Sequence, residues 1–221
     1  MPSSPPRGTI RGVMFDLDGT LADTLTDLTN AANHALALLG RPPHDRDRYR
    51  YFVGQGVENL FRAALDTDDV SLIEPAVAAF KKHLAAHQYD HSGPYDGVPE
   101  LLDELTRRGL RLAVMSNKPD DRTLEMVRTL FGRWSWDAVR GQRDGYPVKP
   151  DPTAALEIAA ELGIVHADWL YVGDTRADML TGRAAGFYTV GVTWGFRDET
   201  ELRDSGADAI IHHPSELLDL L

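Results

Sequence analysis

At 221 residues, with 43% hydrophobic and 26% charged residues, the chain has the apolar content for one sizeable core and a small second unit, which excludes wholesale disorder. Its formal net charge of -11 speaks against nucleic acid or an anionic membrane surface as the main partner, because both would repel it. With no cysteine, disulfides, thiolate metal sites and a thiol nucleophile are excluded, and covalent chemistry falls to Asp, Glu, Ser, Thr, Lys, His or Tyr.

The opening MPSSPPRG reads as a polar, proline-rich tail, and the next apolar stretch meets Asp16 too soon to serve as a signal-peptide core. No apolar run reaches the length of a membrane span, so a soluble, cytoplasmic protein is expected. Residues 10–17 are mostly apolar with little alternation, the pattern of a strand buried on both faces of a parallel sheet, and place Asp16 near its C-terminal end. From about Thr24 to about His91, LTDLTNAANHALALLG, GVENLFRAALD and LIEPAVAAFKKHLAAH carry apolar residues at helical spacing, which predicts an all-helical insert. HSGPYDGVP reads as the return linker. From Gly97 onward helices alternate with short apolar runs: LRLAVMSN, WLYVGD, YTVGV and ADAIIHH. That alternation is the signature of a parallel α/β sheet. Asp151 stands where an N-cap belongs and Pro152 where a first helical residue belongs, with Gly163 past the end. Gly109 and Gly186 close two further helices.

In open parallel sheets ligands gather beyond the carboxyl ends of the strands, so acids at several strand ends converge on one site. Asp16 and Asp18 end the first strand, Asp174 ends WLYVGD, and Asp178 follows four residues later on a helix. Like charges about 4 Å apart repel by roughly 4 kcal/mol at an effective dielectric near 20, so such a cluster needs a cation. All-oxygen ligation suits Mg²⁺, which keeps waters and shares substrate phosphates. Ser116 and Asn117 at the end of VMSN, and Lys149 in YPVKPDP, supply a hydroxyl, an amide and a positive charge suited to a phosphate.

DLDGTL, SNKP, VKPDP and GDTRAD resemble, in order and spacing, the four motifs of the haloacid dehalogenase-like hydrolases, and the resemblance covers essentially the whole chain. The helical insert is similar to that superfamily's helical cap. The expected fold is therefore an α/β, Rossmann-like parallel-sheet core at residues 1–21 and 93–221, with an all-helical cap at residues 22–92. DGTLADT, GQGVENL, SNKP and GDTRAD look most like phosphoglycolate phosphatases.

The resemblance implies a Mg²⁺-dependent phosphatase acting on small phosphate monoesters, with 2-phosphoglycolate the leading candidate. It implies that Asp16 is the nucleophile and forms an aspartyl phosphate, and that Asp18 is the general acid and base. Asp16, the backbone carbonyl of Asp18, and Asp174 would hold Mg²⁺, with Asp178 one layer further out. Ser116, Asn117 and Lys149 would bind the phosphoryl oxygens. Gly54, Gln55 and Gly56 would form the cap's specificity loop, and Gly19 lets the chain turn away after the two acids. A monomer and a homodimer are both compatible with the sequence.

Other readings attach to the same residues. A phosphomutase similar to β-phosphoglucomutase would use the same chemistry. A receiver-type phosphoacceptor domain fits poorly, because there the acidic pair and the acceptor lie on different strands. His83, His87 and His91 recur every four residues, so one helical face could carry all three as a zinc site or as surface residues. Asp23 and Thr24 are expected to cap the first insert helix, with Asp27 completing a box-like pattern. Trp134, Trp136 and Trp169 are expected in the core. Arg176 is either a surface residue or an electrostatic helper.

Overall fold

The computed structural model describes residues 9–221, and the proline-rich opening MPSSPPRG lies outside them. The chain divides into two compact units, Met1–Ala22 with Pro94–Leu221, and Asp23–Gly93.

The first unit is built on β1 (Gly12–Phe15), whose four residues are all buried. After β2 (Ala22–Asp23), the second unit contributes α1 (Leu25–Leu38), α2 (Arg46–Phe52), α3 (Val57–Leu65) and α4 (Val70–His87), before β3 (Gly93–Pro94). The chain then runs through α5 (Val98–Arg107), β4 (Arg111–Pro119), α6 (Asp120–Phe131), β5 (Ala138–Gln142), α7 (Thr153–Glu161), β6 (Trp169–Gly173), α8 (Arg176–Ala185), β7 (Tyr188–Val192), α9 (Glu199–Asp204) and β8 (Ala209–Ile211). SELLDLL, at the end, forms a 3-10 helix over Pro214–Leu220.

Six strands form one parallel sheet in the order β5-β4-β1-β6-β7-β8, and β2 pairs with β3 in a separate two-stranded ribbon. Phe15 is in register with Val114 of β4 and Val172 of β6, so the residues that follow these three strands emerge side by side. One sheet face packs Met14, Met115, Trp169 and Tyr171 against Ile158 and Phe187. Among the described residues no helix is long and apolar enough to cross a membrane.

Several local expectations need correction. β1 is shorter than residues 10–17, because the Leu17 carbonyl turns aside to accept the amides of Thr20, Leu21 and Ala22 at 3.3, 3.0 and 3.0 Å. The helix after Asp151 starts one residue later: Pro152 is its N-cap, although the Asp151 carboxylate still accepts the Thr153 amide at 2.9 Å. β5 is an edge strand of sequence AVRGQ whose two apolar residues are too few to give a periodic signal. Trp134 and Trp169 are buried as expected, whereas Trp136 is half-buried, its indole N–H donating to the Phe131 carbonyl. Arg176 is exposed.

In the helical unit, α1 packs on α4, and Phe61 meets Phe80 edge to face at 5.8 Å. The box-like cap at Asp23, Thr24 and Asp27 forms only in part: the Asp23 carboxylate accepts the Leu25 amide at 3.3 Å, but Thr24, the N-cap of α1, makes no side-chain capping bond. Asp27 instead turns inward, accepting the amides of His91 and Ser92, the Ser92 hydroxyl at 2.6 Å and the His91 ring at 2.9 Å. This also dismantles the expected histidine row, since α4 ends at His87 and His91 is spent on Asp27. His83 stacks between His34 and His87, at ring centroid distances of 4.3 and 4.5 Å. Gly54 and Gly56 both have positive φ, 104° and 88°, in the turn between α2 and α3 that also holds Gln55.

Candidate active site

The register of β1, β4 and β6 delivers Asp16, Ser116 and Asp174 to one end of the sheet. One carboxylate oxygen each from Asp16, Asp174 and Asp178 lies within 4.8 Å of the others, and all three residues are buried. Lys149 enters from the loop before α7, its Nζ 2.8 Å from Oδ1 of Asp16 and 2.7 Å from Oδ1 of Asp178.

Each acid is held by its neighbours. Asp174 accepts the Thr20 hydroxyl at 2.9 Å on one oxygen and the Phe196 amide at 2.8 Å on the other. Asp178 closes a capping box with Thr175 at the start of α8, its Oδ2 accepting the Thr175 amide and hydroxyl at 3.0 and 2.6 Å. Asp18 is partly exposed, and both its oxygens lie 3.1 Å from Nζ of Lys118. Two glycines permit this density: a Cβ at Gly19, whose φ is +90°, would collide with the Asp174 carboxylate, and one at Gly195 with the Asp174 side chain and the Gly19 carbonyl. Gly19 therefore makes room for an acid as well as a turn.

Three buried carboxylates face one buried ammonium. Burial and the nearby Asp178 push Asp16 up to about 7 even though Lys149 pulls it down. Burial, then Asp178 and Asp16, push Asp174 well above the usual carboxylate range. Burial alone would lower Lys149, but Asp16 and Asp178 outweigh it and hold the ammonium well above its ordinary value. The excess negative charge and the hard oxygen donors fit Mg²⁺, which both neutralises such a cluster and prefers these ligands.

Ser116 and Asn117 are buried at the same sheet end, but their side chains differ in what they offer. The Asn117 carboxamide is committed to Lys149, donating to its carbonyl at 3.2 Å and accepting its amide at 2.9 Å. Its side chain thus fixes the Lys149 loop. Gly54, Gln55 and Gly56 belong to the helical unit.

Thr20, Lys118, Thr175 and the Phe196 amide were not among the expected site residues. Thr20, Lys118 and Thr175 lie inside DLDGTL, SNKP and GDTRAD, but their partners are set by the fold rather than by local sequence. The Phe196 contribution is a backbone N–H, to which side-chain chemistry gives no clue.

Residues 13–192 match the family model of the haloacid dehalogenase-like hydrolases. An N-acetylmuramic acid 6-phosphate phosphatase of Pseudomonas aeruginosa is 35% identical over 218 residues, covering 96% of this chain and 95% of that protein. A phosphoglycolate phosphatase of Pseudomonas putida is 36% identical over 197 residues, covering 84% of this chain and 70% of that protein. Among solved structures, a haloacid dehalogenase-like family hydrolase of Streptococcus pneumoniae superposes with a TM-score of 0.86 at 26% identity, covering 95% of this chain and 97% of that one. Matched over most of its length by the family model and by these relatives, the chain belongs to the haloacid dehalogenase-like hydrolases.

Proposed function

We propose that the protein is a Mg²⁺-dependent phosphatase that hydrolyses small phosphate monoesters through an aspartyl phosphate on Asp16, with 2-phosphoglycolate as its leading substrate. The observation that carries this reading is the buried cluster of Asp16, Asp174 and Asp178 around Lys149, a site with too much negative charge to stand without a cation. Phosphate monoesters are slow enough uncatalysed that dividing the displacement into two steps is worthwhile.

In the first step an Asp16 oxygen forms a bond to phosphorus as the bond to the leaving alcohol breaks, and Asp18 gives its proton to that alcohol oxygen. In the second, Asp18 takes a proton from a water whose oxygen attacks phosphorus, releasing inorganic phosphate and restoring the Asp16 carboxylate. The Ser116 hydroxyl and the Lys149 ammonium bind phosphoryl oxygens, with Asn117 holding the Lys149 backbone in place. Asp16, the Asp18 carbonyl and Asp174 would hold Mg²⁺, with Asp178 one layer out, and the ion supplies the positive charge that lets an anionic carboxylate approach an anionic phosphate. The helical unit is the cap in this reading, and its Gly54–Gln55–Gly56 turn the candidate for selecting substrates.

A second substrate reading, a sugar phosphate, draws on the relative named as an N-acetylmuramic acid 6-phosphate phosphatase. The test is phosphate release by purified protein across 2-phosphoglycolate, sugar phosphates and phenyl phosphate, with Mg²⁺ or with excess EDTA. Hydrolysis only with Mg²⁺ is expected, and activity undiminished in EDTA would remove the metal from the account.

A further inference from the structure

The loop after β7 supplies no group to the phosphoryl-transfer scheme, yet it grips one of the acids that would hold the metal. In the sheet β6 lies between β1 and β7, so Asp174, directly after β6, stands between the turn that follows β1 and the loop that follows β7. Both neighbours reach it: the Thr20 hydroxyl donates to one carboxylate oxygen at 2.9 Å and the Phe196 amide to the other at 2.8 Å. The two arms are also joined to each other, because the indole N–H of the half-buried Trp194 donates to the Thr20 carbonyl at 3.0 Å. The bonds close a ring from Trp194 to Thr20, to Asp174, to Phe196 and back along the chain. Gly195, between Trp194 and Phe196, sits so tightly that a Cβ there would strike the Asp174 side chain and the Gly19 carbonyl.

A carboxylate that faces two other buried carboxylates is pushed to rotate away from them, since like charges repel. Hydrogen bonds to both of its oxygens resist that rotation, but only while the two donors are themselves fixed. The Trp194 bond ties one donor's backbone to the loop that carries the other, so neither moves alone. A ligand oriented before the ion arrives spares binding the cost of ordering it.

We infer that Trp194 is a positioning residue for metal binding: its indole N–H locks the turn at Thr20 to the loop at Phe196 and so keeps the Asp174 carboxylate aimed into the acid cluster. This inference rests on the Mg²⁺-dependent phosphatase reading and extends it to a residue outside that cluster.

The experiment measures the Mg²⁺ Kd of the substrate-free protein by titration calorimetry in the unaltered chain, Trp194→Phe and Trp136→Phe, beside a thermal melt in EDTA and kcat at saturating Mg²⁺. Trp136 is the control, because it too is half-buried and its indole N–H donates to a main-chain carbonyl, that of Phe131, at 3.1 Å. Trp194→Phe is expected to raise the Kd by about 10- to 100-fold, with most of kcat returning at saturating Mg²⁺. Trp136→Phe loses a bond of the same kind and should leave the Kd unchanged. Should Phe at position 194 unfold the chain, 3-benzothienylalanine there keeps the bicyclic ring, lacks only the N–H, and is expected to show the same rise. An unchanged Kd in the folded variant at position 194, or an equal rise in Trp136→Phe, overturns the inference. Calorimetry of the unaltered protein separates the two levels: without Mg²⁺ uptake the metal reading falls and the inference with it, whereas uptake that the change at position 194 leaves untouched removes only the role of Trp194.

Discussion

The ammonium of Lys149 lies 2.8 Å from Oδ1 of Asp16, with both side chains nearly sealed from water. The same ammonium holds Asp178 at 2.7 Å, so one cation organises Asp16 and the acid at the head of α8. Removing it affects two properties at once. Lys149→Met is expected to lower kcat/KM by about a hundred- to a thousandfold, the usual effect of deleting one preorganised charge-stabilising donor. The metal-free variant should also melt earlier, because stranding a buried charge costs about 3–5 kcal/mol. Steady-state kinetics with Mg²⁺ and a thermal melt in EDTA check the two effects, and a variant of near-normal activity would remove Lys149 from catalysis.

Metal-free stability should depend on pH in a definite direction. Asp16 is raised by folding from its ordinary 3.8 to about 7. A raised acid binds more protons folded than unfolded, so its contribution is full below about pH 4 and is lost as pH climbs through about 7. In EDTA the melting temperature is therefore expected to fall between about pH 4 and pH 7, in the window set by those two values. Added Mg²⁺ should stabilise more at pH 8 than at pH 5, since it competes with protons for the same carboxylates. A Mg²⁺ effect independent of pH would contradict this origin of the shift.

The groups that aim Asp174 should govern metal affinity more than turnover. Thr20→Val removes the hydroxyl bonded to Asp174. It is expected to raise the Mg²⁺ concentration for half-maximal activity by about 10- to 100-fold, as for other residues that orient metal ligands. At saturating Mg²⁺ most of the activity should return, and a metal titration of the variant distinguishes this from a general loss.

The parallel sheet and the acidic strand ends were legible because both depend on strong local signals: apolar runs spaced by helices, and carboxylates standing where those runs stop. What escaped were features set by distant partners. Asp27 is a helix-start acid by its position, but burial beside residues 91–92 gives it four hydrogen-bonding partners no local pattern foretells. The edge strand β5 has its pairing decided by β4 rather than by its own composition. The Phe196 amide reaches Asp174 from 22 residues away and leaves no trace in side-chain chemistry. Lys118 was visible in SNKP, but only the fold brings it to Asp18, 100 positions earlier.

Asp27 gives the helical unit its own test. Burial would raise this carboxyl, but hydrogen bonds from the Ser92 hydroxyl, the His91 ring and two amides hold it below the usual range. A lowered acid stabilises the fold above its unfolded pKa, and that stability is lost as pH falls through the folded one. Asp27→Ala is expected to destabilise the protein by about 2–3 kcal/mol at neutral pH, and by less at strongly acid pH. Denaturant melts at the two pH values measure this, and an equal effect at both would contradict it.

The central claim is that phosphorus passes through Asp16. The most direct measurement is acid-quenched mass spectrometry of the protein mixed with substrate and Mg²⁺, comparing the unaltered chain with Asp16→Asn and Asp18→Asn. The account predicts a phosphoryl group on the peptide carrying Asp16, prolonged in Asp18→Asn because hydrolysis has lost its base, and absent from Asp16→Asn. Phosphoryl transfer to Asp16→Asn at the rate of the unaltered protein, or turnover with no label on that peptide in the unaltered chain and in Asp18→Asn, would contradict it.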